Sequence, residues 1–354
     1  MFNRFAAFFT VLTFLATSFI PATANNTSAN AKRAKSQQLV AMLPASDGVI
    51  TMDIQRFFSE AIPAVLASNK GLRDELFNKV SELREKTGID LESFDHLAAG
   101  LKTEQVAEKK YNVLPVIIAR GSSQSSGVIT AAKTAANNKY KEESVGGKTM
   151  FIFSKKEVVA QAKPVNDDEK EDKKEAVIDT ILSGISDEVA ITAIDVNTVA
   201  FGDSGRVRAL LEGKSKIGSD VVKLLNRKEF GVINFAAKLP AGLKDYLPKD
   251  NDELGASVDA LEYIFGSMNV GDGVGTLSIT GKTAKADQAI QLHDTLDVLQ
   301  MLGGSLLGGS KREDQQLYAR LIAAAKFSRK DAEISMDLVI PQKDIDMLVA
   351  ILAK

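Results

Sequence analysis

Tight reversals of the chain separate most of the strand-like segments of this sequence, and they limit its fold more than any other feature. Gly146-Gly147 divides 139–145 from 148–154, Val196-Asn197 divides 188–195 from 198–201, and Lys330-Asp331 divides the last pair. A further pair of strands flanks Gly271-Asp272-Gly273. Connections this short leave no room for a crossover helix, so the strands they join must run antiparallel. Between the hairpins lie segments with apolar residues at helical spacing, such as Leu72, Leu76, Val80 and Leu83 ahead of Gly88. The sequence therefore predicts an α+β fold: antiparallel or mixed sheets built from hairpins, with helices packed on one face. The order strand, helix, two strands, helix, hairpin fits both halves, and 230–235 (F-G-V-I-N-F) echoes 47–52 (D-G-V-I-T-M), which points to an internal duplication of that unit. Within the first half, Pro63 is expected to kink or split a helix, and Pro115 moves the strand 113–120 toward an edge or a bulge.

The first two dozen residues stand apart. Arg4 precedes an uncharged apolar run, 5–20, and Ala22-Thr23-Ala24 supplies the small residues that a signal peptidase reads, so 1–24 reads as a secretory signal cut after Ala24. An uncleaved anchor is the competing reading, against which Pro21 and the cleavage site argue. Residues 25–37 are polar and low in complexity and are expected to be a disordered leader. The first α+β half is placed at 38–213, with a charged insert at 164–175, and the second at 214–354. No later segment is both long and apolar enough to span a membrane.

With no cysteine, the chain has no disulfide, thiolate nucleophile or lipidated cysteine. Its 44 basic and 46 acidic residues nearly balance, which gives no electrostatic reason to bind nucleic acid. Tryptophan is absent and only 5 residues are tyrosine, so stacking platforms for sugars or bases are poorly supplied.

The segment 201–204, F-G-D-S, poses the one catalytic question, because Ser204 sits where GDSL-type hydrolases place their nucleophile. In that family a D-x-x-H near the C-terminus supplies the base. Here the histidine after Ser204 is His293, preceded by A-I-Q-L, and no G-x-N-D block follows. The trypsin-like reading of G-D-S-G fails too: His96 lacks that family's context, and Arg206 replaces the glycine expected after the motif. A serine needs a base within hydrogen-bond reach. The alternative is structural, with Asp203 or Ser204 capping a helix that starts near 205.

His96 and His293 make no metal site by themselves, although Asp297 lies one turn from His293. The glycine-rich 303–311 lacks the G-K-[ST] ending of a phosphate loop and reads as an interhelix loop. No cofactor motif is present. Leu306 and Leu307, set between glycines, are expected to contact a lipid surface or a partner's groove.

The segments L-P-A-S-D-G-V-I-T-M-D-I-Q-R-F-F, T-G-I-D-L-E-S-F-D-H-L-A-A-G and A-I-D-V-N-T-V-A-F-G-D resemble a group of uncharacterised secreted bacterial proteins. The resemblance implies export and fold class and carries over no functional residue. The leading functional expectation is an exported non-enzymatic protein that binds a protein partner or an apolar ligand in the cell envelope. A secreted serine hydrolase using Ser204 is the alternative, and an envelope structural or assembly factor is the third reading.

Overall fold

A computed structural model describes residues 26–107, 110–154, 187–240, 258–271 and 273–352. The signal segment, the charged insert and the helix expected after Pro240 lie outside them. In chain order the elements are α1 (Asn26–Val40), β1 (Gly48–Asp53), α2, α3 (Lys70–Thr87), β2 (Phe94–Ala107), β3 (Lys110–Gly121), α4 (Ser125–Ala135), β4 (Lys141–Val145), β5 (Lys148–Ser154), β6 (Glu188–Asp195), β7 (Thr198–Asp203) and α5 (Ser204–Glu212). There follow α6 (Ser219–Leu225), β8 (Ile233–Lys238), β9 (Leu261–Gly271), β10 (Val274–Thr283), α7 (Ala286–Gly308), α8 (Glu313–Ala324), β11 (Lys326–Lys330), β12 (Glu333–Pro341) and α9 (Gln342–Leu352). Helix α2 is composite: Ile54–Arg56, a π turn over Phe57–Ala61, then Ile62–Val65. Pro63 has no N–H to give to the carbonyl four residues back, and the helix widens just before it.

All registered strand pairs are antiparallel, as the turns require. The Gly146-Gly147 turn takes φ of +58° and +76°, which glycine adopts without strain. The fold is α+β, and two compact units divide it.

The first unit comprises Arg33–Gln55 and Leu76–Ser219, with strand order β1-β2-β3-β7-β6-β5-β4. Strand β3 is interior, not an edge. Its β7 ladder begins only at Val116↔Gly202, so at Pro115 the strand is paired with β2 alone and the missing N–H breaks no rung on the other side. One sheet face carries Ala119, Phe151, Phe153, Ile191 and Val199 packed against Val128 and Ile129 of α4. The opposite face, with Val116, Ile118, Met150, Ile152, Ala190 and Ala200, is as deeply buried. Gly100 shares that face, and a Cβ there would meet Ser46 Oγ at 2.6 Å and Leu43 at 3.3 Å. Ser46 in turn bonds to α5. Helices of this unit therefore cover both faces rather than the one expected, because its strands are apolar on both sides.

The second unit comprises, among the described residues, 26–32, 56–75 and those from 220 on, with order β8-β9-β10-β12-β11. Its apolar face puts Ile334 of β12 under Ala289 and Leu292 of α7. The alternate residues of β10 and β12 form polar pairs, Ser278 with Asp337 and Thr280 with Ser335. Helix α7 covers the apolar face, while Arg227, just past α6, pairs with Glu333 on the other. The boundary expected at 213/214 falls after Ser219, and the unit also takes 56–75. Arg56 Nη2 donates to Asn269 Oδ1 (2.6 Å) and Gln342 Nε2 to the Ala64 carbonyl (2.8 Å), which fix that segment. The order β8-β9-β10-β12-β11 repeats β1-β2-β3-β7-β6, and a helix starts directly after β7 and after β12.

Two further expectations are corrected. Of the leader expected to be disordered at 25–37, the residues from 26 on are helical and belong to α1, because Ala, Lys, Arg and Gln favour helix and Ser36, Leu39 and Val40 are buried at the helix end. The glycine-rich segment is not a loop as far as Gly308, since α7 continues through it. A Cβ on Gly303 would stand 3.1 Å from Ile322 Cδ1, so this glycine admits α8 to close packing, and Gln300 Nε2 caps the Ile322 and Ala325 carbonyls at 2.6 and 2.7 Å.

Candidate functional site

Three letters of the F-G-D-S-G-R run have a structural reason: Gly202, Asp203 and Arg206. Gly202 has φ +145°, and a Cβ there would lie 2.4 Å from the Pro115 carbonyl oxygen, so only glycine fits beside β3. Asp203 ends β7 and is the N-cap of α5: its Oδ1 accepts from Arg206 N at 3.0 Å. This bond satisfies one of the free amides at the helix start. Ser204 is the first residue of α5 and is partly exposed.

Arg206 is 9% exposed. Its Nη2 donates to Ser46 Oγ at 2.7 Å, and that hydroxyl donates to the Pro44 carbonyl at 2.8 Å. Burial pushes the guanidinium below its ordinary pKa, and Asp203, Asp47 and Glu104 pull it back up. Asp47 accepts from Lys102 Nζ (2.9 Å), Thr103 N (2.8 Å) and Thr103 Oγ1 (2.7 Å). Burial raises its carboxyl pKa, but these donors outweigh burial and leave it below the usual value. The network ties two motifs that the sequence sets far apart, P-A-S-D-G and G-D-S-G-R, and its chemistry is that of a clasp. Sequence reasoning missed it, having treated Arg206 only as a departure from a protease pattern.

His96 is not brought to Ser204. His96 lies in the row His96↔Arg120↔Thr198, five residues along β7 from Asp203. That places it about 16 Å along the strands and about 10 Å across two of them from the start of α5. His293 belongs to the second unit, where its Nδ1 faces Asp297 Oδ2 at 3.2 Å across one turn of α7. Among the described residues no group of three His, Asp or Glu side chains is placed to hold a metal ion.

A shallow depression of about 450 Å³ runs along α4, lined by Gly88, Ser126, Gly127, Thr130, Ala131 and Thr134. It is open, and the Thr130 and Thr134 hydroxyls donate to the Ser126 and Thr130 carbonyls. It does not have the closed apolar form that the expected ligand between helices and sheet requires.

The apolar surface is elsewhere, on α7. Ala289 and Leu292 turn inward, whereas Val298 (50% exposed), Met301 (64%), Leu302 (46%) and Leu306 (77%) face solvent. Leu307 is only half-exposed and lies nearer the inner side. Val298, Met301 and Leu302 went unremarked in the sequence, because their alignment with Leu306 depends on the helix persisting to Gly308. From Val298 to Ser310 no residue is charged, and Lys311 and Arg312 follow. Several large apolar side chains exposed together on one helix mark a contact surface more often than scattered ones do. No helix among the described residues is long and apolar enough to cross a membrane.

No family model matches the sequence, and no curated protein does. The fold resembles three crystal forms of TP0453. Form III is 6% identical at TM-score 0.41, covering 89% of this chain and 97% of that one. Form IV is 8% identical at 0.41, covering 92% and 100%, and form I is 8% identical at 0.39, covering 89% and 97%. Likeness at this level carries no functional argument. What the fold and the surface define is an α+β protein with an apolar helix face open to solvent.

Proposed function

We propose that the chain is an exported, non-enzymatic binding protein of the cell envelope, and that it takes a protein partner or an apolar ligand on the outer face of α7. Export rests on the 1–24 pattern of a charged start, an apolar run and a small-residue cleavage site. The observation that carries the binding reading is the row Val298, Met301, Leu302 and Leu306, exposed together on a stretch without charge. Such a surface gains free energy when covered, at roughly 25 cal/mol per Å² of apolar area removed from water. The repeated strand order supports a further reading, that the two units arose by duplication, with β4 and β5 added to the first.

A photo-crosslinking amino acid in place of Met301, irradiated in the producing cells, tests the binding reading. Adducts to envelope components are expected from position 301 and not from position 331, on the β11–β12 turn. Equal or absent adducts at both positions would refute it.

A further inference from the structure

Strand β11 ends the order β8-β9-β10-β12-β11, so the main-chain groups on its outer side have no strand to bond. Proteins close such edges with proline, a bulge or charge. The sequence of β11 is K-F-S-R-K, without proline, and its register to β12 runs unbroken from Lys326↔Asp337 to Lys330↔Glu333. Charge is therefore its guard. Lys326, Ser328 and Lys330 lie on the polar face of the sheet, and Phe327 and Arg329 on the face of Ile334. All but Phe327 are exposed, and the three cations form no ion pair among the described residues. The acids opposite the two lysines are already engaged: Asp337 accepts from Ser278 Oγ at 2.6 Å, and Glu333 from Arg227 Nη2 at 2.8 Å. The edge of the first unit, β4, differs. Its Lys141, Glu142 and Glu143 pair with Glu188, Lys133 and Arg208.

We propose that the free edge of β11 accepts an acidic extended segment of a partner protein as a further antiparallel strand. Main-chain bonds to the open edge hold the segment, and its side chains opposite Lys330, Arg329 and Lys326 set specificity. Read along the partner, the favoured order is acidic, acidic, polar, apolar, acidic. A second copy of β11 is the poorer occupant, because pairing the strand with itself along its whole length sets Lys326 against Lys330, and like charges directly opposite each other destabilise a sheet. The added strand spans 326–330 and leaves the turn beyond Lys330 uncovered. This site is separate from the outer face of α7 and does not rest on it.

Fluorescence anisotropy of a labelled peptide with the core E-E-T-V-E, titrated with the purified protein, tests it. Saturable binding in the micromolar range is expected, weakened by salt, with slower amide exchange along β11. Arg329→Glu should weaken it about fivefold, and a peptide with the core E-K-T-V-E should bind that variant to within about twofold of the original pair. Should Arg329→Glu lower the melting temperature, Lys326→Glu with the core E-E-T-V-K serves in its place. Methylating the peptide nitrogens that face β11 keeps the charge and should abolish binding. Leu306→Asp, on α7, should leave binding unchanged, so this test and the crosslinking at position 301 fail separately. Absence of binding overturns the inference, as does a charge swap without rescue. Equal binding of the methylated peptide overturns it too, since that is bare attraction between charges, as to an anionic lipid surface.

Discussion

Replacing Asp203 separates the structural account of the F-G-D-S run from the catalytic one. The Asp203 carboxylate does two things: its Oδ1 caps α5 by accepting from Arg206 N at 3.0 Å, and its charge offsets the buried Arg206 guanidinium. Losing the cap costs about 1 kcal/mol. Losing the charge leaves a guanidinium 9% exposed, with Nε meeting no acceptor among the described residues and only Asp47 and Glu104 to balance it. At the effective dielectric of such a site that adds on the order of 1–2 kcal/mol. Asp203→Ala should therefore cost about 2–3 kcal/mol. Asp203→Asn keeps a good capping group and loses only the charge, so it should cost about half as much. Ser204→Ala, at the first position of the helix, should change stability by less than about 0.5 kcal/mol. Urea unfolding followed by far-ultraviolet circular dichroism measures all three, read on the transition of the unit that contains α5 if the two units melt separately. The reasoning fails if Ser204→Ala costs as much as Asp203→Ala, or if the Ala and Asn variants at 203 are equal.

Other outcomes follow from the same structure. A fluorophosphonate probe is expected to leave the protein unlabelled, and labelling lost in Ser204→Ala would establish the hydrolase instead. The folded Asp47 carboxyl titrates below its unfolded value of about 3.9, so its stabilising contribution is complete above that pH and disappears as pH falls through the folded pKa. Asp47→Asn should lower stability at neutral pH and flatten the decline below about pH 4 in an acid-unfolding series; a series unchanged by the substitution contradicts the clasp. Gly303→Val drives a branched side chain toward Ile322 Cδ1, which already lies 3.1 Å from a Cβ position, and should cost about 1–3 kcal/mol in the same urea assay. No loss there would mean that α8 does not pack against α7 at that point.

The hairpins were legible because their turns are local: two glycines with positive φ, or an Asp195 side chain accepting from Asn197 N at 2.9 Å, need only neighbouring residues. The C-terminal stop of α3 was legible for the same reason, with Gly88 at φ +74°. What escaped depends on contacts between distant residues. The polarity of 25–37 suggested disorder, yet α1 runs on through 40 and buries Leu39 and Val40 at its end. The four glycines at 303–309 suggested a break, yet Gly303 is where a second helix docks, and tertiary packing overrides a propensity penalty of about 1 kcal/mol per glycine. Arg206 meets Ser46 across 160 residues, and no local pattern announces a buried arginine. The candidate surface was half visible: Leu306 stood out by its glycine neighbours, while Val298, Met301 and Leu302 needed the true length of α7.

Met301 is the one exposed methionine among the described residues, and its thioether reports directly on whether the outer face of α7 is covered. Oxidation by dilute peroxide, read by peptide mass spectrometry, compares the dilute purified protein with the protein in intact envelope preparations. The account predicts that Met301 oxidises several-fold more slowly in the envelope while the half-buried Met347 oxidises at an unchanged rate. Equal oxidation of Met301 in both settings would contradict it.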